Sequence, residues 1–148
     1  MSNFESAEEL LTHRAPFLYL DELLEASDEG CVGTRYFGID EPFFQGHFPD
    51  YPVVPGVILL ETLAQTGGAG LRQTGVLAKG TFFVLASIEK AKFRNQVRPG
   101  DTAIMSVEHV RVSRIMIRQK GTITVDGKVA CEASWMCIVG KRGDENDN

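Results

Sequence analysis

Residues 46–68 read GHFPDYPVVPGVILLETLAQTGG, and the two halves of that stretch make opposite demands on the backbone. Pro42, Pro49, Pro52 and Pro55 lie between residues 40 and 55. Each proline lacks a backbone donor, so this segment is neither helix nor central strand. From Gly56 to about Arg72 the pattern predicts a helix, with Pro55 at its entry, where the missing N–H is no loss. Val57, Ile58, Leu59, Leu60, Leu63 and Ala64 leave that helix apolar almost all round. A helix of this kind belongs inside a fold, so something must wrap around it. Gly67, Gly68 and Gly70 weaken its second half, either by fraying or to admit the close approach of a neighbour. Glu61, in the middle, is the anomaly.

The flanking sequence supplies the wrapping. Ser6 and Glu9 fit a capping box for a short helix over about 6–12. The stretches FLYLDELLEASDEG and CVGTRYFG predict two strands joined near Asp28-Glu29-Gly30. After the central helix, TFFVLASIEKAKFRNQV predicts a long strand ending before Pro99-Gly100, and residues 102–112 another. Ile115, Ile117, Ile123 and Val125 alternate with polar neighbours as in a half-buried strand. Asp126-Gly127 is a hairpin signal, and residues 128–139 return. The expected order is β-β-helix-β-β-β-β in one α+β domain over 1–148, with a polar, disordered tail from about residue 140. A curved antiparallel sheet around one central helix is the hot-dog arrangement, which this pattern favours over a sandwich.

Length and composition fit that picture. The chain has 148 residues, 43% hydrophobic and 24% charged, as in a single globular domain. A net charge of -5 argues against a general nucleic-acid binder. No apolar run approaches the ~18 residues of a membrane span, and the N-terminus lacks a secretory pattern, so a cytoplasmic protein is expected. Cys31, Cys131 and Cys137 have neither disulfide nor zinc spacing. They are expected to be structural, with Cys131 and Cys137 sharing the core-facing parity of Val129, Ala133, Trp135 and Val139.

Chemistry gathers at two residues. An isolated buried carboxylate is too costly, so Glu61 must be paired, neutral or partly wet. Burial disfavours the charged form of a carboxyl group, which lets such a group hold a proton near neutrality. An ordinary histidine is about half charged near pH 6.5, and His47 stands fourteen positions before Glu61. One base and one protonated acid are the equipment for β-elimination of water. At the helix start, the Gly56 and Val57 amides are unpaired donors able to hold a thioester oxygen as charge builds on it. The prolines are expected to fix the loop so that His47 faces the same point. On residues alone, a structural role for His47 remains open. His13 and His109 show no evident partner, and no phosphate loop, nucleophile elbow or metal spacing is present.

The segments HRAPFLYLDELLE (13–25), DEPFFQGHFPDYPVVPGVILLETLAQ (40–65), IEKAKFRNQVRPGD (88–101) and DGKVACEA (126–133) resemble the FabZ-type (3R)-hydroxyacyl-[acyl-carrier-protein] dehydratases. The resemblance implies a hot-dog dimer, with three dimers commonly forming a hexamer. It implies that His47 and Glu61 are catalytic and come from opposite subunits, that the Gly56 amide polarises the thioester carbonyl, and that no cofactor or metal is used. It implies conversion of a 3-hydroxyacyl chain on acyl carrier protein to the trans-2-enoyl product in fatty acid biosynthesis. Glutamate at position 61, rather than aspartate, favours the FabZ type over the isomerising FabA type. Gln65, one turn on, is expected to orient Glu61. Lys90, Lys92, Arg94 and Arg98 form a basic patch suited to an acidic carrier with its phosphopantetheine arm. Asp50-Tyr51 stands where many relatives have Gly-Asn, and Val84-Leu85 where many have Tyr-Phe. With Phe82 and Phe83 adjacent, the second departure bears on how the acyl tunnel is gated. The rival readings are a hot-dog thioesterase and a non-catalytic carrier-binding subunit.

Overall fold

A computed structural model describes residues 4–78 and 80–141. A four-residue helix, α1 (Ala7–Leu10), is closed by the Ser6–Glu9 capping box. Strands β1 (Glu22–Ala26) and β2 (Gly30–Tyr36) form the first hairpin, and a 3-10 turn (Pro42–Gln45) opens the proline loop. The central helix α2 runs Gly56–Gln73. Strands β3 (Thr81–Phe93), β4 (Thr102–Val112), β5 (Met116–Val125) and β6 (Lys128–Lys141) complete a six-stranded antiparallel sheet of order β1-β2-β4-β5-β6-β3. The tail from residue 142 onward lies outside the described residues.

The sheet curves around α2 as a hot-dog fold does. Every residue of α2 from Thr62 to Leu71 is buried. The helix meets Ala103, Met105 and Val107 of β4, Ile117 and Ile123 of β5, and Cys131, Trp135 and Cys137 of β6, all at most 5% exposed. Each such fully buried aliphatic side chain contributes roughly 1.5–3 kcal/mol. The Thr62 and Thr66 hydroxyls bond back to the Ile58 and Thr62 carbonyls, so they enter the core satisfied. The three helix glycines do not fray. A Cβ at Gly68 would stand 2.0 Å from the Phe83 ring, at Gly67 2.3 Å from Gln119, and at Gly70 2.5 Å from the Cys31 sulfur. The turn at Asp126-Gly127 has φ of 50° and 80°, the left-handed pair that a tight hairpin requires.

Three expectations are corrected. Residues 17–21 form no strand: the Asp21 amide donates to the Thr34 carbonyl of β2, but residues 17–19 are held by a side chain instead of a ladder, with Gln65 accepting from the Tyr19 amide at 2.7 Å and donating to the Phe17 carbonyl at 2.9 Å. The core-facing parity of β6 does not extend to Val129. A bulge opposite Ile123/Thr124 shifts the register, so Ala130 is buried at 1% while Val129 is only half-buried. Ile115 lies just outside β5 and is 72% exposed. The cysteines are free and buried, and burial pushes the Cys31 and Cys137 thiols up to about 12. No described helix is long and apolar enough to cross a membrane.

Candidate active site

His47 leaves the proline loop at a strained point, since the next residue, Phe48, has φ of 58°. Its Nδ1 lies 2.8 Å from the Val53 carbonyl oxygen. A carbonyl only accepts, so Nδ1 carries the proton and Nε2 keeps its lone pair in the neutral ring. His47 lines a cavity of about 480 Å³ with Val54, Gly56, Val57, Leu60, Phe93 and Arg94, among others. The entry of α2 has no side-chain cap. The Pro55 carbonyl takes the Ile58 and Leu59 amides. The Gly56 and Val57 amides, at the first two helical positions, are therefore the donors left at the positive end of the helix. A Cβ at Gly56 would stand 2.9 Å from the Phe93 ring, so glycine is what keeps that approach open.

Glu61 does not share this cavity. Five residues along a helix is about 140° of rotation, so its carboxylate leaves α2 in another direction. It lines a second cavity of about 190 Å³ with His13, Phe17, Ala64, Phe83, Val84, Leu85 and Cys137. The proline loop thus sets His47 beside the Gly56 and Val57 amides, while Glu61 of the same chain lies in a separate cavity. Gln65, fully buried, donates Nε2 to Glu61 Oε2 at 2.9 Å. The same amide also ties down residues 17–19. The Glu61 side chain is 21% exposed, so it is partly wet and hydrogen-bonded.

Two histidines set aside on sequence have partners. His13 Nε2 lies 3.5 Å from Glu61 Oε2. His109 Nδ1 lies 3.0 Å from Gln119 Nε2, and Gln119 Oε1 accepts from the Trp135 indole at 3.2 Å. Both imidazoles titrate below their usual value of 6.5, chiefly because burial disfavours the cation. Both partners lie on other elements of the fold, which local sequence patterns do not bring together.

The basic patch is less uniform than its sequence. Arg94 is ion-paired with Glu132 of β6, and Lys92 and Lys90 also help hold that carboxyl below the ordinary carboxylate range. Arg98 stacks its guanidinium 4.0 Å from the Tyr51 ring centre, and the Tyr51 hydroxyl donates to Gln96 at 3.0 Å. Lys90 and Arg94 line an open trough on the sheet face away from α2, and Arg94 also borders the His47 cavity.

The family described as FabA-like domain matches residues 11–134. The 3-hydroxyacyl-[acyl-carrier-protein] dehydratase FabZ of Clostridium perfringens is 44% identical over 141 residues, 95% of this chain and all of that protein. The FabZ of Oceanobacillus iheyensis is 43% identical over 90% of this chain and 95% of its own length. Among solved structures, the dehydratase heterocomplex ApeI:P from Xenorhabdus doucetiae aligns with a TM-score of 0.84 at 15% identity, covering 97% of both chains. A hypothetical thioesterase with coenzyme A from Streptococcus pneumoniae aligns at 0.61 and 16% identity, over 81% of this chain and 85% of that one. These two structural likenesses speak to the fold alone. With a family match across most of its length and relatives of this identity end to end, the chain belongs to the FabA-like family and, within it, to the FabZ-type 3-hydroxyacyl-[acyl-carrier-protein] dehydratases.

Proposed function

We propose that the chain removes water from a (3R)-3-hydroxyacyl group carried on acyl carrier protein, giving the trans-2-enoyl thioester for fatty acid synthesis, at a site shared by two copies. The observation that carries this reading is where the two half-sites sit along β3. The His47 cavity is bordered by Phe93 to Val97 at one end of the strand, and the Glu61 cavity by Phe83 to Leu85 at the other. In the sheet order β3 is an edge strand, bonded to β6 on one side. It exposes Val84, Leu85, Ile88 and Phe93, and Val57 beside it is 70% exposed. A long edge strand with one unpaired side and exposed apolar residues is a template for another strand, and β3 presents one despite register shifts at Leu85/Ser87 and Ile88/Lys90. Antiparallel pairing of β3 with its own copy, centred near Ile88, sets the Phe93 end of one protomer against the Phe83 end of the other. Each dimer then holds two composite cavities, each with His47, Gly56 and Val57 from one chain and Glu61, Gln65 and Phe83 from its mate.

In that cavity His47 Nε2 takes the C2 proton, and the C2–H electron pair moves toward the thioester, whose oxygen is held by the Gly56 amide with Val57 beside it. The electrons return to form the C2=C3 bond as the C3–O bond breaks. Glu61 gives its proton to the departing hydroxyl, which leaves as water. The proton held by His47 is returned to Glu61 through solvent before the next turnover, so the enzyme ends unchanged. Lys90, Lys92 and Arg98, with Arg94 at the cavity rim, steer the acidic carrier toward the mouth. The test is the purified protein with 3-hydroxyacyl carriers of several chain lengths. Enoyl absorbance that rises without free thiol supports the reading. Thiol release in its place would reassign the protein to thioester hydrolysis, and carrier binding without either product would make it a non-catalytic subunit.

A further inference from the structure

His13 lies before β1, remote in sequence from α2, yet its ring enters the Glu61 cavity. Its Nε2 is 3.5 Å from Glu61 Oε2, the same oxygen that accepts from Gln65 Nε2 at 2.9 Å. Among the described residues, Glu61 Oε1 has no hydrogen-bond partner. The ring is held 5.8 Å from the Phe83 ring centre, and its Nδ1 is buried without a partner. An imidazole with nothing to receive an Nδ1 proton is better off carrying it on Nε2, the nitrogen that faces the carboxyl group.

We propose that His13 is a positioning residue for Glu61: together with Gln65 it holds Oε2 as an acceptor, so that Oε1 is the oxygen turned to substrate and the one that delivers the acidic proton. The inference rests on the reading of Glu61 as the acid in the elimination. Burial, reinforced by Arg72 and Arg14 and opposed by Glu61, keeps the ring neutral near pH 7. The neutrality matters. A neutral N–H orients a carboxyl group, whereas an imidazolium there would stabilise the carboxylate and withhold its proton. Cys137, on the same cavity, adds no charge, because burial keeps its thiol protonated. Gln65 donates to that oxygen at 2.9 Å and the His13 ring stands beside it at 3.5 Å, so the two together narrow the carboxyl group's rotational choice and the proton is presented in one direction.

The test compares His13→Leu, His13→Gln and His13→Asn in the full-length protein, with Glu61→Gln alongside. Glutamine places an amide nitrogen near where Nε2 stands, and asparagine near where Nδ1 stands. His13→Leu is expected to lower kcat about tenfold or more with KM within about twofold, because misplacing an acid costs rate rather than affinity. Removing a polar neighbour of the carboxylate is expected to move the basic limb of the kcat–pH profile to higher pH. His13→Gln recovers most of the rate, and His13→Asn does not. Equal rates for Gln and Asn, an unmoved basic limb, or wild-type kcat in all three would overturn the inference. If His13→Leu does not fold, the Gln–Asn contrast decides alone. Glu61→Gln separates the two levels: if it is inactive while the His13 variants behave as wild type, only the positioning role falls, and if it is fully active, the reading of Glu61 as the acid falls first.

Discussion

Because the Val53 carbonyl takes the Nδ1 proton of His47, the free lone pair is on Nε2, toward the cavity that also contains the Gly56 amide. The imidazole and the Gly56 amide thus lie on one side of α2, and a carboxyl group held by Gln65 on another. In the proposed elimination these carry different tasks, and neither half completes it alone. His47→Ala and Glu61→Gln should each lower kcat by about 10²–10⁴-fold, the usual contribution of a positioned acid or base. Folding should be intact by circular dichroism, since both side chains are partly exposed and neither fills the core. Wild-type turnover in either variant removes that residue from the chemistry.

At the scale of elements, α2 is shaped by what presses on it. Gly68 faces the Phe83 ring and Gly67 faces Gln119, so the helix and sheet approach more closely than any Cβ allows. Gly68→Ala trades the poor helix propensity of glycine for a clash with an aromatic ring, and the clash is the larger effect. The expected result is a loss of about 1–3 kcal/mol in urea unfolding, in keeping with overpacked cores; a gain in stability would mean that Phe83 moves aside freely. The order of elements and the buried helix were legible in sequence, because proline placement, apolar periodicity and the Asp126-Gly127 turn are local signals. Residues 17–19 were not, since their backbone partner is the Gln65 side chain some 46 positions away. His13 was missed for the same reason. The neutralising Glu132 beside the basic patch comes from β6, paired to β3 only in the folded sheet.

At the scale of the whole molecule, pH reports on the half-buried imidazoles. The Trp135 indole can only donate, so Gln119 turns its oxygen to Trp135 and its amide to His109, leaving Nδ1 of His109 to accept. Protonating His109 would set donor against donor. In the unfolded chain this group takes a proton near 6.5, and in the folded chain only at lower pH. Between those values the unfolded state binds more protons, so the stability that His109 contributes is present above 6.5 and is lost as pH falls below it. His109→Gln should therefore flatten the decline in urea midpoint between pH 7.5 and 5.5; an equal decline in both proteins would show that other groups set it. The proposed catalysis belongs to the same scale: one protomer places His47 and Glu61 in separate cavities, and the proposed pairing along β3 would supply the missing half from a second copy. The direct measurement is to unfold and refold His47→Ala together with Glu61→Gln, each inactive alone. In mixed dimers one of the two composite sites regains both groups, so a random mixture should recover about a quarter of wild-type activity. Activity no higher than that of the separate variants, with mixed dimers present, would contradict a site shared across the interface.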